Sequence, residues 1–307
     1  MRIWITADVH HGMGAHPELT ERLARWCLER AEPGDALVLA GDLACGDARG
    51  LAALFAAFAG FPGPRAFVPG NHDLWSRPDE GPGSLRLYEE VLPALGQQHG
   101  FAMLDTGPVR VPQDSGAGAG RAVALAGSYG GYDFSLAPLG DLPPAARQRV
   151  RAGWRSGVMD GLRWNDYVYM WRGDGRPWDH AALAAGCVAR LDAQLQALEA
   201  DPEVGTVVCV THTAATREQV QQHPLARRDR PELERWFLGL SGAAGLGAAI
   251  RRSPKTRLAV CGHTHHAREH TDAEGRRWIN LGCEYRRKRW LTYEPASGTL
   301  TYGTWIA

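Results

Sequence analysis

The sequence predicts an α/β fold built on a central parallel or mixed sheet, and three observations lead there. Short apolar runs alternate with longer amphipathic stretches, the pattern that β-α-β crossovers produce. With 44% hydrophobic and 22% charged residues over 307 positions, the chain can bury a sizeable core. Asp, His and Asn gather directly after the apolar runs, and in open α/β sheets ligands bind at the carboxyl ends of strands.

The elements follow in order. Residues 3–7 read as a buried strand, and 17–30 as a helix with Leu19, Leu23, Trp26 and Cys27 on one face. A strand at 36–40 leads to an Ala/Phe/Leu-rich helix at 48–59, then a third strand at 65–68. Residues 85–98 are helical but interrupted by Pro93. Further core strands fall at 122–126, 206–210 and 257–261, with a helix at 181–200 between the first two. Residues 278–281, 290–293 and 299–305 form a closing antiparallel set. The segments 116–120 and 239–247 read as flexible, Gly-rich and Ala-rich connections within one domain.

Composition narrows the function classes. Lys+Arg and Asp+Glu both number 34, so no net charge argues for a dedicated nucleic-acid or membrane-surface protein. The six cysteines show no C-x-x-C spacing and read as buried free thiols of a reducing compartment. Residues 1–8 meet a carboxylate after a few apolar positions, unlike a signal peptide, and no apolar run reaches ~18 residues. The expectation is a soluble cytoplasmic protein with no membrane segment.

Five strand ends carry the chemistry: Asp8-Val9-His10, Gly41-Asp42, Gly70-Asn71-His72-Asp73, Thr211-His212-Thr213 and Gly262-His263-Thr264-His265. In an extended segment residues i and i+2 face one way, so Asp8 with His10, and His263 with His265, can reach one centre. The donors Asp8, His10, Asp42, Asn71, His212, His263 and His265 are too many for one four-coordinate ion. They suit two divalent ions bridged by a carboxylate, and a set of O and N donors without thiolate favours Mn, Fe, Zn or Co. Glycines 41, 70 and 262 allow the sharp turns and close backbone approach such a site needs. Two divalent ions outweigh two carboxylates, so the site attracts an anion such as phosphate. Metal binding lowers the pKa of water to roughly 7, and paired ions can stabilise in-line displacement at phosphorus. His72 is placed to protonate a leaving oxygen or stabilise charge, with Asp73 fixing its tautomer.

These blocks, in this order, resemble the calcineurin-like metallophosphoesterase superfamily, and the resemblance runs from Asp8 to His265. It implies Asp8, His10, Asp42 and His265 on the first metal, and Asp42, Asn71, His212 and His263 on the second, with Asp42 bridging. It implies His72 as catalytic histidine, a bridging hydroxide as nucleophile and a four-layer α-β-β-α sandwich. Gly41-Asp42-Leu43-Ala44 lacks the Asp-Arg-Gly of protein serine/threonine phosphatases, and Asp73 stands where those carry Glu. The sequence therefore reads closer to the broad bacterial phosphodiesterase-like branch.

The expected reaction is hydrolysis of phosphate esters, diester or monoester, of a small molecule or nucleotide. One alternative is a nuclease using the basic run Arg286-Arg287-Lys288-Arg289, helped by Arg227, Arg228, Arg230, Arg251 and Arg252. Another is a non-catalytic metal-binding scaffold, against which the intact donor set argues. The aromatic-rich insert 128–180 is either a satellite core or a cap, with Trp164, Tyr167, Trp171 and Arg172 as candidate substrate contacts. His11 and His266 alternate away from the ligands, and His16, His99, His180, His223 and His270 read as structural.

Overall fold

The computed structural model of the chain describes residues 1–12, 17–76, 81–112, 121–174, 176, 178–220 and 230–306. The connection 116–120, His16, His223, Arg227 and Arg228 lie outside them. The chain begins with β1 (Ile3–Thr6), α1 (Pro17–Leu28), β2 (Ala36–Ala40), α2 (Ala48–Ala57), β3 (Arg65–Val68), α3 (Ser84–Arg86), α4 (Leu92–Gln98) and β4 (Ala102–Met103). It continues through β5 (Val109–Val111), β6 (Ala122–Ser128), α5 (Pro144–Ser156), β7 (Val158–Met159), β8 (Leu162–Arg163), α6 (Asp166–Tyr169) and α7 (His180–Ala200). It closes with β9 (Val204–Thr211), α8 (Pro231–Gly239), α9 (Ala244–Arg251), β10 (Thr256–Cys261), β11 (Arg268–Thr271), β12 (Arg277–Asn280), β13 (Arg287–Glu294) and β14 (Thr299–Ile306).

Two mixed sheets result, in the orders β14-β13-β1-β2-β3-β4 and β11-β12-β10-β9-β6-β5. Each has four parallel strands; β13 runs antiparallel on one side of the first set, while β11 and β5 flank the second on both sides. The apolar runs are continuous because both faces of these strands are covered. Ile3, Ile5, Val38 and Val68 meet Val123, Leu125, Val208 and Val260 between the sheets. Trp4, Leu37, Leu39 and Phe67 point the other way, onto Leu23, Cys27, Leu54 and Phe55 of α1 and α2. Likewise Ala124, Val207, Cys209 and Ala259 pack outward on Leu191 and Leu195 of α7 and Leu246 and Ile250 of α9. The period of two in the strands thus yields the four layers expected from the sequence.

Residues 239–247 are not the flexible connection the composition suggests. They end α8 and start α9, and their glycines permit contact rather than motion. A Cβ on Gly239 would lie 2.5 Å from the Trp154 ring, and one on Gly242 1.9 Å from the Ala214 carbonyl oxygen. Pro93 does not break its helix either: it sits at the start of α4, after a π-turn at Leu87–Val91. That turn accommodates the missing N–H. A satellite core joins Tyr132, Leu142, Val150, Trp154 and Met159 of the aromatic segment to Leu233, Trp236 and Leu240 around α8. Among the described residues no helix is long and apolar enough to cross a membrane, and the six cysteines are free thiols.

Asp35, just before β2, clasps the start of β1. Its buried carboxylate accepts from the Arg2 amide at 2.6 Å, the Arg2 guanidinium, the Trp4 indole at 2.8 Å and the Glu32 amide at 3.1 Å. Burial opposes its charge, yet the bonds from Trp4, Glu32 and Arg2 hold its pKa below the usual value. A depressed folded pKa means this stabilisation is present above roughly pH 4 and fades as pH falls through the folded value. Asp35→Asn should therefore cost about 1–3 kcal/mol at pH 7, with the gap to wild type narrowing below roughly pH 4. Urea denaturation against pH checks this, and a gap independent of pH would refute the clasp.

Candidate metal centre

The parallel strands of both sheets end at one rim of the sandwich, and each passes into a polar turn there. β1 leads to Asp8 and His10, β2 to Asp42, β3 to Asn71 and His72, β9 to His212, and β10 to His263 and His265. The turns are not extended, which corrects the basis on which the i, i+2 pairs were expected to align. Asp8, His10, Asp42, His263 and His265 have φ of 47°, 45°, 50°, 69° and 58°. This left-handed conformation costs an L residue about 1–2 kcal/mol, and Asp and His adopt it more readily than most. Strain of this kind concentrates at functional sites. Glycine supplies the remaining room. A Cβ would fall 2.3 Å from His212 Nδ1 at Gly41, 2.1 Å from the Asp42 nitrogen at Gly70, and 2.4 Å from Asp8 Oδ2 at Gly262.

Two donor sets share Asp42. In the first, ligand atoms of Asp8, His10, Asp42 and His265 all lie within 4.8 Å of one another. His10 Nε2 is 3.2 Å from His265 Nε2 and 3.7 Å from Asp42 Oδ2, and His265 Nε2 is 3.7 Å from Asp8 Oδ1. In the second, His212 Nε2 is 3.2 Å from Asp42 Oδ1, and Asn71 Oδ1 lies 3.0 Å from both His212 Nε2 and His263 Nδ1. Asp42 thus turns one carboxylate oxygen to each set. The far side of two rings fixes their tautomers: His212 Nδ1 meets the Ala40 carbonyl at 3.1 Å and His263 Nε2 the Leu240 carbonyl at 3.0 Å. Each donates a proton there, so the nitrogen turned to the centre, Nε2 of His212 and Nδ1 of His263, is the one a metal would take. Asp8 Oδ2 is buried without a hydrogen-bond partner, an atom that a cation would satisfy. This donor chemistry fits a pair of divalent ions.

The electrostatics point the same way. Burial pushes His10 well below its usual value, His263 to about 4 and His265 to about 3, so these rings are neutral, the form a metal takes. Burial also raises Asp8, to about 7, with Asp42 adding repulsion. Asp42 itself stays well below normal, because His212, His72 and His10 outweigh its burial. His212 is carried up to about 9 despite burial by Asp42 and Asp8. Lys288 departs from the expected basic face: it is buried, donates from Nζ to the Glu284 carbonyl at 3.1 Å, and lends positive charge to Asp8.

His72 Nε2 lies 3.9 Å from Asp42 Oδ2, with its ring stacked on Trp75 at a centroid distance of 3.7 Å. Asp73 does not fix this ring. Its carboxylate accepts from the amides of Leu43 at 3.0 Å, Ala44 at 2.8 Å and Gly70 at 2.8 Å, while His72 Nδ1 has no partner. Adjacent residues of the 3₁₀ turn His72–Leu74 point apart, and buried amides of the Asp42 turn claim the acceptor. Asp73 is thus a bracket that locks the turn carrying Asp42 to the one carrying Asn71.

A cavity of about 780 Å³ opens from the centre, with Asp42, Asn71, His72, His263 and His265 in its floor. Of the four expected substrate contacts only Trp164 lines it. The Tyr167 hydroxyl donates to the Trp154 carbonyl, the Trp171 amide bonds Ser84 Oγ at 3.1 Å, and Arg172 pairs with Asp174, all away from the floor. Trp75, Arg163, Arg217, Phe237, Leu238, His266 and Tyr285 line it instead, and the Tyr285 ring stacks on His10 at 4.4 Å. The α8 contribution carries a signal in the sequence: Leu233, Trp236, Phe237 and Leu240 have the i, i+3, i+4, i+7 spacing of an amphipathic helix. Tyr285 carries none, since its place depends on the register of β12 and β13.

The bracket makes a specific expectation. Asp73→Asn should lower unfolding free energy by about 1–3 kcal/mol, read by chemical denaturation, while NMR signals of the His72 ring stay in place. Unchanged stability with a displaced His72 signal would return Asp73 to the role of ring partner.

Comparison with known proteins adds the family. No curated protein sequence matches the chain. In fold it is similar to the phosphopantetheinyl hydrolase PptH of Mycobacterium tuberculosis, with a TM-score of 0.66 over 92% of this chain and 89% of that one at 18% identity. It is also similar to the protein TT1561 of Thermus thermophilus, at 0.53 over 98% and 97% with 14% identity. GAP50, the anchor in the inner membrane complex of Plasmodium, matches at 0.50 over 99% and 84% with 9% identity. At such identities the likeness is one of fold, and an anchor among them shows that fold alone names no activity. The sequence pattern of the calcineurin-like phosphoesterases matches residues 1–267. This chain therefore belongs to the calcineurin-like phosphoesterase family and is a metal-dependent phosphoesterase.

Proposed function

We propose that the chain hydrolyses phosphate esters of a small molecule or nucleotide carrying a partly apolar organic group, with the help of two divalent transition-metal ions. The observation that carries the reading is Asp42, whose two carboxylate oxygens face separate donor sets. Asp8, His10, Asp42 and His265 hold one ion, and Asp42, Asn71, His212 and His263 the other. Mn, Fe, Zn and Co all suit these donors. Bound there, the ions supply Lewis acidity toward phosphoryl oxygens and acidify water. His72 faces the same carboxylate from the cavity and holds a proton at Nε2 for the leaving oxygen, its ring plane set by Trp75. Trp164, Phe237, Leu238 and Tyr285 receive the organic group and exclude water, and Arg163 and Arg217 stand ready for a second anionic group. The nuclease alternative has less support, because Lys288 is buried and Arg287 bonds the His265 carbonyl, so the basic run forms no continuous cationic face.

Metal analysis of the purified chain should find two ions, and Asp42→Asn should lose both. His72→Asn should keep both yet lower kcat by about 10²–10⁴-fold, with a smaller loss for esters of acidic leaving groups. Two ions and near-normal turnover in Asp42→Asn would sink the bridging assignment. An equal loss across leaving groups would make His72 a phosphate-positioning group.

The cavity wall is tested apart from the metals. Phe237→Ala should raise KM about tenfold for esters with bulky apolar groups, the worth of one or two kcal/mol of buried aromatic surface. Small esters should be untouched. An unchanged ratio of kcat/KM between bulky and small esters would show that the wall does not select substrate.

A further inference from the structure

An amide can present either an oxygen or an NH2, so Asn71 serves a metal only when its side chain is held one way round. Asp166, at the start of α6 in the aromatic segment, settles which. It is 1% exposed, and all four of its side-chain hydrogen bonds come from neutral donors. Oδ1 accepts from Asn71 Nδ2 at 2.9 Å and Trp75 Nε1 at 2.7 Å, and Oδ2 from the Tyr132 hydroxyl at 2.9 Å and Trp164 Nε1 at 3.1 Å. Asp166 Oδ1 already accepts from the Trp75 indole, which can only donate, so the NH2 of Asn71 faces that oxygen, and Asn71 Oδ1 is left facing His212 and His263. The direction of the network is fixed from behind as well. Trp178 Nε1 donates to His180 Nδ1 at 3.1 Å, which puts the ring proton on Nε2, 3.4 Å from the Tyr132 oxygen.

We propose that Asp166 is a positioning residue for the second metal site: it orients Asn71 and ties that ligand to the Trp75 and Trp164 walls of the cavity. The proposal rests on the reading of Asn71 as a ligand. Neither wall can shift without moving a donor of the same carboxylate. Tyr132 reaches the other carboxylate oxygen, Oδ2, while Asn71 is held at Oδ1.

Calorimetric titration of the metal-free chain with Co²⁺ separates the possibilities. The wild type takes up two ions. Asp166→Asn, which keeps the shape but opposes its one NH2 to two of the four donors, should bind the first ion unchanged and the second about 10–100-fold more weakly. Tyr132→Phe should lower thermal stability without that selective loss. Equal weakening of both ions, or none, in Asp166→Asn overturns the proposal. Asn71→Ala tests the underlying reading: if it retains the second ion at full affinity, Asn71 is no ligand, whatever Asp166 does. If Asp166→Asn fails to fold, Asn71→Asp decides. A carboxylate is the stronger ligand in isolation, but here it loses the N–H bond that Asp166 accepts. Weaker second binding in Asn71→Asp supports the proposal, and tighter binding refutes it.

Discussion

Two carboxylates buried side by side at the ends of neighbouring parallel strands set the terms for the rest of the centre. Asp8 and Asp42 are almost wholly removed from water, and the ion pairs they make among the described residues are with histidine. Charge in such a place must be balanced by a counter-charge or removed by taking up a proton. Asp8 takes the second course without a cation, rising to about 7, while Asp42 draws a proton onto His212. Divalent ions answer the same need with more charge and no proton. The left-handed turns, the three glycines and the carbonyl-locked imidazoles all serve to keep lone pairs aimed at that deficit.

Much of this was legible in the chain. The strands show as apolar runs because both of their faces are covered, and the donors show because they follow those runs directly. Seven donors from five blocks need only the strand ends to converge, which parallel strands ensure. The route was misread at one point. Asp8 with His10, and His263 with His265, share a centre through left-handed turns and not through an extended period of two. Backbone strain leaves little trace in residue type beyond the tolerance of Asp and His for it.

What stayed hidden depends on contacts distant in sequence. Asp73 looks like the partner of His72 because it is next to it, yet three buried amides claim it. The aromatic segment shows its richness in Trp and Tyr but not which rings reach the cavity, and only Trp164 of the expected four does. Its link to the donor set is a carboxylate, Asp166, 95 residues from the amide it bonds. The other half of the wall comes from α8, which shares a satellite core with the insert. Glycine in 239–247 suggested slack, where the structure uses it for tight contact with Trp154 and Ala214.

The donor set also straddles a seam. Asp8, His10, Asp42 and Asn71 follow strands of one sheet, while His212, His263 and His265 follow strands of the other. Between the sheets lies a largely aliphatic interlayer, which resists separation but offers little against sliding. Ions held from both sides would act as rivets through the two plates at a single edge. Such rivets would stop shear between the layers there and leave it free to grow away from that edge. With both sites filled, breathing of the sandwich would pivot about the reaction centre.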